Sequence, residues 1–273
     1  MAYENIKYEK EDGIAIITLN RPKALNALSF PLAKEFEDAL ADIEKDDNVQ
    51  VLIVTGGPRA DGRPCFCAGG DLKSTPPADT RKPEDQVIAT LEAMLTGRSA
   101  RQGPGATTVM EDLNKSSKLS IAAVDGICTA GGLELALGCD LILVSETAQI
   151  SDMHLKNLGV VGGAALSTKL ARRVGVSKAI QLCCTCDPID GKEAHRIGLA
   201  DEVFPPDKLL DEAKSMAKKI ASMRPAGVRL TRTVCKAIYD MDYDLTQRFQ
   251  DACFSALTLT AEAWRAQRWG GQR

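Results

Sequence analysis

Two glycine-rich turns carry the chemistry that this sequence offers. The first is Phe66-Cys67-Ala68-Gly69-Gly70-Asp71-Leu72. The second runs from Ala123-Val124-Asp125-Gly126 to Ala130-Gly131-Gly132-Leu133-Glu134. Each follows an apolar, strand-like run. Small residues let a backbone approach a ligand closely, with its amides as donors. The second turn opens a helical segment, whose first N–H groups and dipole favour negative charge. Two such amides aimed at one carbonyl oxygen would form an oxyanion hole, in which loss of one donor costs roughly a hundred- to a thousandfold in rate. The same glycines could instead serve only the geometry of strand-to-helix turns. Glu134, in the first helical turn, is an acid that the dipole favours with or without a chemical role.

Several other chemistries lack their residues. There is no GxxxxGK[ST] phosphate loop, no GxGxxG after a strand, no GxSxG elbow and no HExxH, so nucleotide hydrolysis, a dinucleotide fold and serine hydrolysis lose support. Nine cysteines include Cys65/Cys67 and Cys183/Cys184/Cys186, without paired CxxC spacing, and the histidines are His154 and His195. Buried thiols are expected rather than disulfides, and no metal site. Lys plus Arg is 34 against 37 for Asp plus Glu, a net charge of −3. That leaves no broad field for nucleic acid or an anionic membrane. The longest apolar tract, Ile121 to Val144, is broken by Asp125, Glu134 and Asp140 and does not read as a membrane span. The first residues, MAYENIKYEKEDG, hold no apolar export segment, so a cytoplasmic location is expected.

The elements that must position these turns follow from periodicity. Strand-like runs Ile6–Lys10 and Ile14–Leu19 flank Asp12-Gly13, a hairpin signal. Ser29 is an N-cap for a helix with apolar Phe30, Leu32, Ala33, Phe36, Ala39, Leu40 and Ile43. Val49–Thr55 suits a strand buried on both faces. Residues 56–72 read as a loop. The polar stretch 74–115 has a short helix at 84–95 and a mobile segment at 97–107. Strands are expected at Leu119–Val124 and Leu141–Ser145. Helices are expected at 131–138, 163–173, 176–184, 191–196, 207–222, 226–240 and 243–263. Strands alternating with helices early, and helices late, predict an α/β fold with a helical C-terminal part.

Over roughly residues 5–255 the chain resembles the crotonase (enoyl-CoA hydratase/isomerase) superfamily. The resemblance rests on five segments in order: Asn20-Arg-Pro-Lys-Ala-Leu-Asn-Ala-Leu28, Phe66–Leu72, Ile121–Gly126 with Gly131-Gly132-Leu133-Glu134, Cys139-Asp140-Leu141-Ile142, and Gly198-Leu-Ala-Asp-Glu-Val203. It implies a crotonase-like spiral of ββα units over residues 1–200, holding an acyl-CoA site. It further implies a helical region over 201–265 that helps form a homotrimer or dimer of trimers, and a tail over 266–273. The substrate would be a CoA thioester, with no other cofactor. The amides of Ala68 and Gly131 would hold the thioester oxygen as enolate charge develops. Gly69, Gly70, Asp71 and Leu72 would line the same turn, and Lys23, Ala24 and Leu25 would meet the adenosine end of CoA.

Glu134 matches the first of two glutamates in the family's hydratases, which positions or deprotonates water. The second lies in a segment like FxxPExxLG, where this chain reads Ile150-Ser-Asp-Met-His154-Leu-Lys-Asn-Leu-Gly159. His154 is the nearest equivalent and Asp152 the other candidate. A histidine there could be an acid or base, or a buried hydrogen-bonded residue. Lys118-Leu119 replaces the usual Lys-Pro, and 49 residues separate Asp71 from Ile121, a loop expected over the acyl pocket. Lys214, Lys218, Lys219, Arg224, Arg229, Arg232 and Lys236 could meet CoA phosphates or simply solvate a helix face. The resemblance points first to hydration of a 2-enoyl-CoA. Double-bond isomerisation, thioester hydrolysis and non-catalytic acyl-CoA binding stay open.

Overall fold

The structure is a computed structural model describing residues 3–74, 82–96, 106–261 and 264–266. All but the first residue of the expected tail, and most of the 97–107 segment, lie outside these residues. Strands β1 (Ile6–Glu11) and β2 (Ile14–Leu19) form the antiparallel hairpin. Asp12 and Gly13 at its tip have φ of 47° and 80°, the two positive values that match a turn to strand twist. Helix α1 (Phe30–Lys45) starts where Ser29 Oγ accepts the Leu32 N–H, and it buries Leu32, Phe36, Leu40 and Ile43.

Three strand pairs then repeat one plan. They are β3 (Val51–Gly56) with β4 (Cys65–Cys67), β5 (Leu119–Val124) with β6 (Ile127–Thr129), and β7 (Leu141–Ser145) with β8 (Gln149–Ser151). Between and after them come α2 (Pro83–Thr96), α3 (Ala106–Lys115), α4 (Gly131–Gly138), α5 (His154–Leu158), α6 (Leu166–Val174), α7 (Val176–Thr185) and α8 (Gly191–Arg196). The chain ends with β9 (Glu202–Phe204), α9 (Leu209–Ala221), α10 (Pro225–Ala237) and α11 (Tyr243–Leu259). The first strand of each pair joins a six-stranded sheet, β1-β2-β3-β5-β7-β9, and the second joins a three-stranded parallel sheet, β4-β6-β8. This is the spiral of ββα units. The large sheet runs past residue 200, because β9 pairs with β7 in parallel.

Alternation fixes the layers. Ala15, Ile17, Leu52, Val54, Ala122, Val124, Ile142 and Val144 face one core with α1, α3 and α4. Ile14, Ile16, Val51, Ile53, Ile121, Ala123 and Leu143 face the other, covered by Leu209, Ala213 and Ala217 of α9. Strands buried on both faces read as continuous apolar runs.

Several features differ from expectation, the short helix α5 among them. The 56–72 loop contains β4, and β6, β8 and β9 are further strands; each of these four strands is only three residues long, too short for a period to show. Residues 106–115 form α3, burying Val109, Met110 and Leu113. The helix expected from 163 starts at Leu166, because Ala164 and Ala165 take positive φ. Basic residues of the 214–236 stretch tie elements together: Lys214 pairs with Glu11 at 2.9 Å, Lys218 with Asp12 at 3.1 Å, and Arg224 donates to Leu257 O at 2.8 Å. Arg232 and Lys236 meet the Asp140 carboxylate at 2.7 and 3.2 Å. All nine cysteines are free thiols.

Candidate active site

The turn after β4 is stitched to the segment after β2. Ala68 N–H donates to Leu25 O at 3.0 Å, Leu28 N–H to Gly69 O at 2.8 Å, and Asp71 N–H to Leu28 O at 2.9 Å. Arg21 clamps the same seam through the Asp71 carboxylate (2.9 Å) and Ala27 O (2.6 Å). Buried Asn26 donates to Gly57 O and Cys65 O at 2.7 and 2.8 Å. Lys23, Ala24 and Leu25 are therefore brought beside residues 68–72.

The main-chain donors differ from the expected pair. The Ala68 amide is consumed by Leu25 O and cannot serve a ligand. The seam uses the carbonyl before Gly70 and the amide after it, and among the described residues the Gly70 N–H has no acceptor. Gly69, at φ +107°, lies between the two amides and sends them in different directions. A Cβ on Gly131 would stand 3.0 Å from Gly70 N, and one on Gly69 would stand 3.2 Å from Gly131 N. The Gly131 N–H, at the start of α4, likewise has no acceptor among the described residues. Two unspent amides from distant turns thus lie side by side, with Gly70 exposed to solvent. They are those of Gly70 and Gly131.

Close packing sets α4 against β4. A Cβ on Gly132 would fall 2.1 Å from Cys67 O. Ala130, just before the helix, holds φ 50° and ψ −116°, a conformation that costs a non-glycine residue and persists only where its surroundings impose it.

Glu134 projects from the first turn of α4 and is 5% exposed. Its Oε1 lies 3.4 Å from His154 Nε2. His154 opens α5, and its Nδ1 lies 2.7 Å from Asp152 Oδ1, which also accepts the His154 main-chain N–H at 3.1 Å. Glycines again permit the approach: a Cβ on Gly163 would lie 3.2 Å from Glu134 Oε1, and one on Gly162 3.3 Å from His154 Nδ1. The Asp152 hydrogen bond raises the His154 pKa above the ordinary histidine value; burial opposes the shift and the Glu134 charge adds to it. Burial pushes Asp152 upward, but the two bonds from His154 outweigh it and leave the carboxyl below its usual range. Burial raises the neighbouring Cys67 thiol to about 12, so it is protonated at neutral pH and no nucleophile. His195 instead meets Ala200 O at 3.4 Å, a structural contact.

The sequence profile of the enoyl-CoA hydratase/isomerase family matches residues 9–264. The chain belongs to this family, and so to the crotonase superfamily. It is 33% identical over 262 residues to the short-chain-enoyl-CoA hydratase of Clostridium acetobutylicum, covering 96% of this chain and 92% of that protein. It is equally identical to the crotonyl-CoA hydratase of Syntrophomonas wolfei, over 96% and 93% of the two chains. The crystal structure of an enoyl-CoA hydratase from Bacillus anthracis superposes with a TM-score of 0.81 at 28% identity, covering 97% of this chain and 95% of that one. Within the crotonase frame, Glu134, Gly131, the 68–72 turn and the 23–25 segment come together with His154. The features that the sequence does not show are the unspent Gly70 amide and the Arg21 clamp. Gly70 could be found only by accounting for each amide of the turn. Arg21 and Asp71 lie 50 residues apart, and no spacing links them.

Proposed function

We propose that this enzyme adds water reversibly across the double bond of a 2-enoyl-CoA. The observation that carries the reading is the pair of unspent amides, Gly70 and Gly131, beside the Glu134 carboxylate and the His154 imidazole. In the hydration direction the thioester oxygen accepts hydrogen bonds from both amides. Glu134 takes a proton from water, whose oxygen bonds to the β-carbon. The double-bond electrons move toward the thioester, and enolate charge collects on its oxygen. Donors already aimed at that oxygen stabilise the transition state without reorganising. His154 then delivers a proton to the α-carbon. Water is added and no redox equivalent is needed. Leu155, Leu158, Val160 and Val161, on and just after α5, are 46, 48, 49 and 78% exposed and offer an apolar wall for the acyl chain. The names of the hydratase relatives support the same substrate class.

Assembly as a homotrimer or a dimer of trimers is part of the proposal. Its support is apolar surface left open on and between α10 and α11, with Ile238, Tyr243, Phe254 and Leu259 at 58, 74, 70 and 85% exposure. No helix among the described residues is long and apolar enough to cross a membrane; a cytoplasmic placement is part of the proposal. The test is incubation with crotonyl-CoA and a longer enoyl-CoA. Formation of 3-hydroxyacyl-CoA is expected. Deuterium entering the acyl chain without water addition would replace hydration by isomerisation, free CoA thiol would replace it by hydrolysis, and binding without turnover would leave a binding protein.

A further inference from the structure

We infer that Asp152 is a positioning residue for the acid step: it locks His154 so that only Nε2 exchanges a proton with the site. The inference rests on the acid role proposed for His154. Asp152 Oδ1 accepts from both the main-chain N–H and the ring Nδ1 of the same residue, at 3.1 and 2.7 Å. An ionised carboxylate has no proton to give, so Nδ1 must carry the hydrogen of that bond. The exchangeable position is then Nε2, and Nε2 is the atom that faces Glu134 Oε1 at 3.4 Å. One acceptor thus fixes both the start of α5 and the orientation of the ring. The arrangement orients an imidazole from behind, as a second partner does for any histidine whose tautomer matters.

The surroundings hold Asp152 in place. Its side chain is 3% exposed, and the Cys183 thiol of α7 is near enough to act on its charge. From α4, Glu134 faces the ring; from α6, the charge of Lys169 acts on Glu134. The charges acting on the imidazole are Asp152 and Glu134, both acidic. The catalytically competent imidazolium is therefore held by two carboxylates. Loss of protonated His154 then sets the alkaline limb of kcat/KM for hydration, and Asp152 sets where that limb falls.

The experiment compares wild type, Asp152→Asn, His154→Gln and the double variant across pH with crotonyl-CoA. Proton NMR of the imidazole C2–H follows the same proteins. The chain has two histidines, so His195→Gln assigns the spectrum. In wild type, His154 is expected to titrate above about 6.5. In Asp152→Asn both that titration and the alkaline limb move down by at least about one unit, the size expected for losing a hydrogen-bonded carboxylate. The rate falls at least tenfold at the pH optimum and KM changes less than twofold. In the His154→Gln background, Asp152→Asn causes no further loss. The inference is overturned if wild-type His154 titrates at or below the ordinary value. It is also overturned if the limb stays put in a folded Asp152→Asn, or if Asp152→Asn slows His154→Gln by its full factor. Should Asp152→Asn fail to fold, the wild-type titration decides. Wild-type turnover by His154→Gln would instead remove the acid role on which the inference rests.

Discussion

Replacing Gly70 with proline removes the N–H hydrogen and puts a ring carbon in its place. Among the described residues the Gly70 N–H serves no acceptor, so its loss breaks no bond there. Its φ lies outside the left-handed region, and a Cβ there meets no atom of the described residues within 4 Å. Gly70→Ala is therefore the matched control, keeping the amide and adding a carbon in open space. If that amide holds the thioester oxygen, Gly70→Pro loses one of two donors and puts ring carbon where the hydrogen stood. One such donor is worth about a hundred- to a thousandfold in kcat, or about 2.7–4 kcal/mol. The loss should appear equally in kcat and kcat/KM, since the bond strengthens in the transition state. Gly70→Ala should stay within a few-fold of wild type, and both variants should keep the wild-type melting temperature within a few degrees. The assay is steady-state hydration of crotonyl-CoA, with thermal unfolding alongside. A folded Gly70→Pro within tenfold of Gly70→Ala would show that the donor is elsewhere and that the amide accounting is mistaken.

Other outcomes follow from the same geometry. Glu134→Gln keeps the shape but removes the base, and its hydration rate should drop by about 10²–10⁴ with CoA-thioester binding, read by calorimetry, retained. Gly132→Ala forces a carbon to within 2.1 Å of Cys67 O; the urea midpoint should report a loss at or above the upper end of the ~1–3 kcal/mol range for overpacking. Arg232→Ala removes the 2.7 Å partner of the Asp140 carboxylate, whose side chain is 11% exposed. Since Lys236 keeps its 3.2 Å contact, the cost should lie at the lower end of the ~3–5 kcal/mol for breaking a buried pair, read by urea unfolding. The His154–Asp152 pair gives stability a pH signature. The raised His154 pKa contributes fully below its unfolded value and is lost as pH rises through the folded one. The lowered Asp152 pKa contributes above its unfolded value and is lost as pH falls through the folded one. The stability gap between wild type and His154→Gln should thus be widest between about pH 4 and 6.5, measured by melting temperature.

What the sequence reveals depends on length and on accounting. β2 is legible as a six-residue apolar run beside the Asp12-Gly13 turn, and α1 because its apolar residues repeat the helical period after the Ser29 cap. β4, β6 and β8 are not, since three residues cannot show alternation, although this small sheet carries the two turns of the site. The second turn is legible to the residue, because Gly131 opens α4 and the end of a helix always leaves amides unspent. The first turn is legible only as a region. Which amide is free depends on Leu25 and Leu28, some 40 residues earlier in the chain, taking the others. The Asp152–His154 contact spans two residues, yet only the approach of α4 shows that Nε2 meets Glu134.

The most direct test is the position of the thioester oxygen in a crystal structure of Glu134→Gln with crotonyl-CoA bound. The account predicts that oxygen at roughly 2.7–3.1 Å from both the Gly70 and Gly131 nitrogens, with Ala68 N still donating to Leu25 O. A carbonyl bound to any other pair of donors, or one turned away from both glycines, would contradict it.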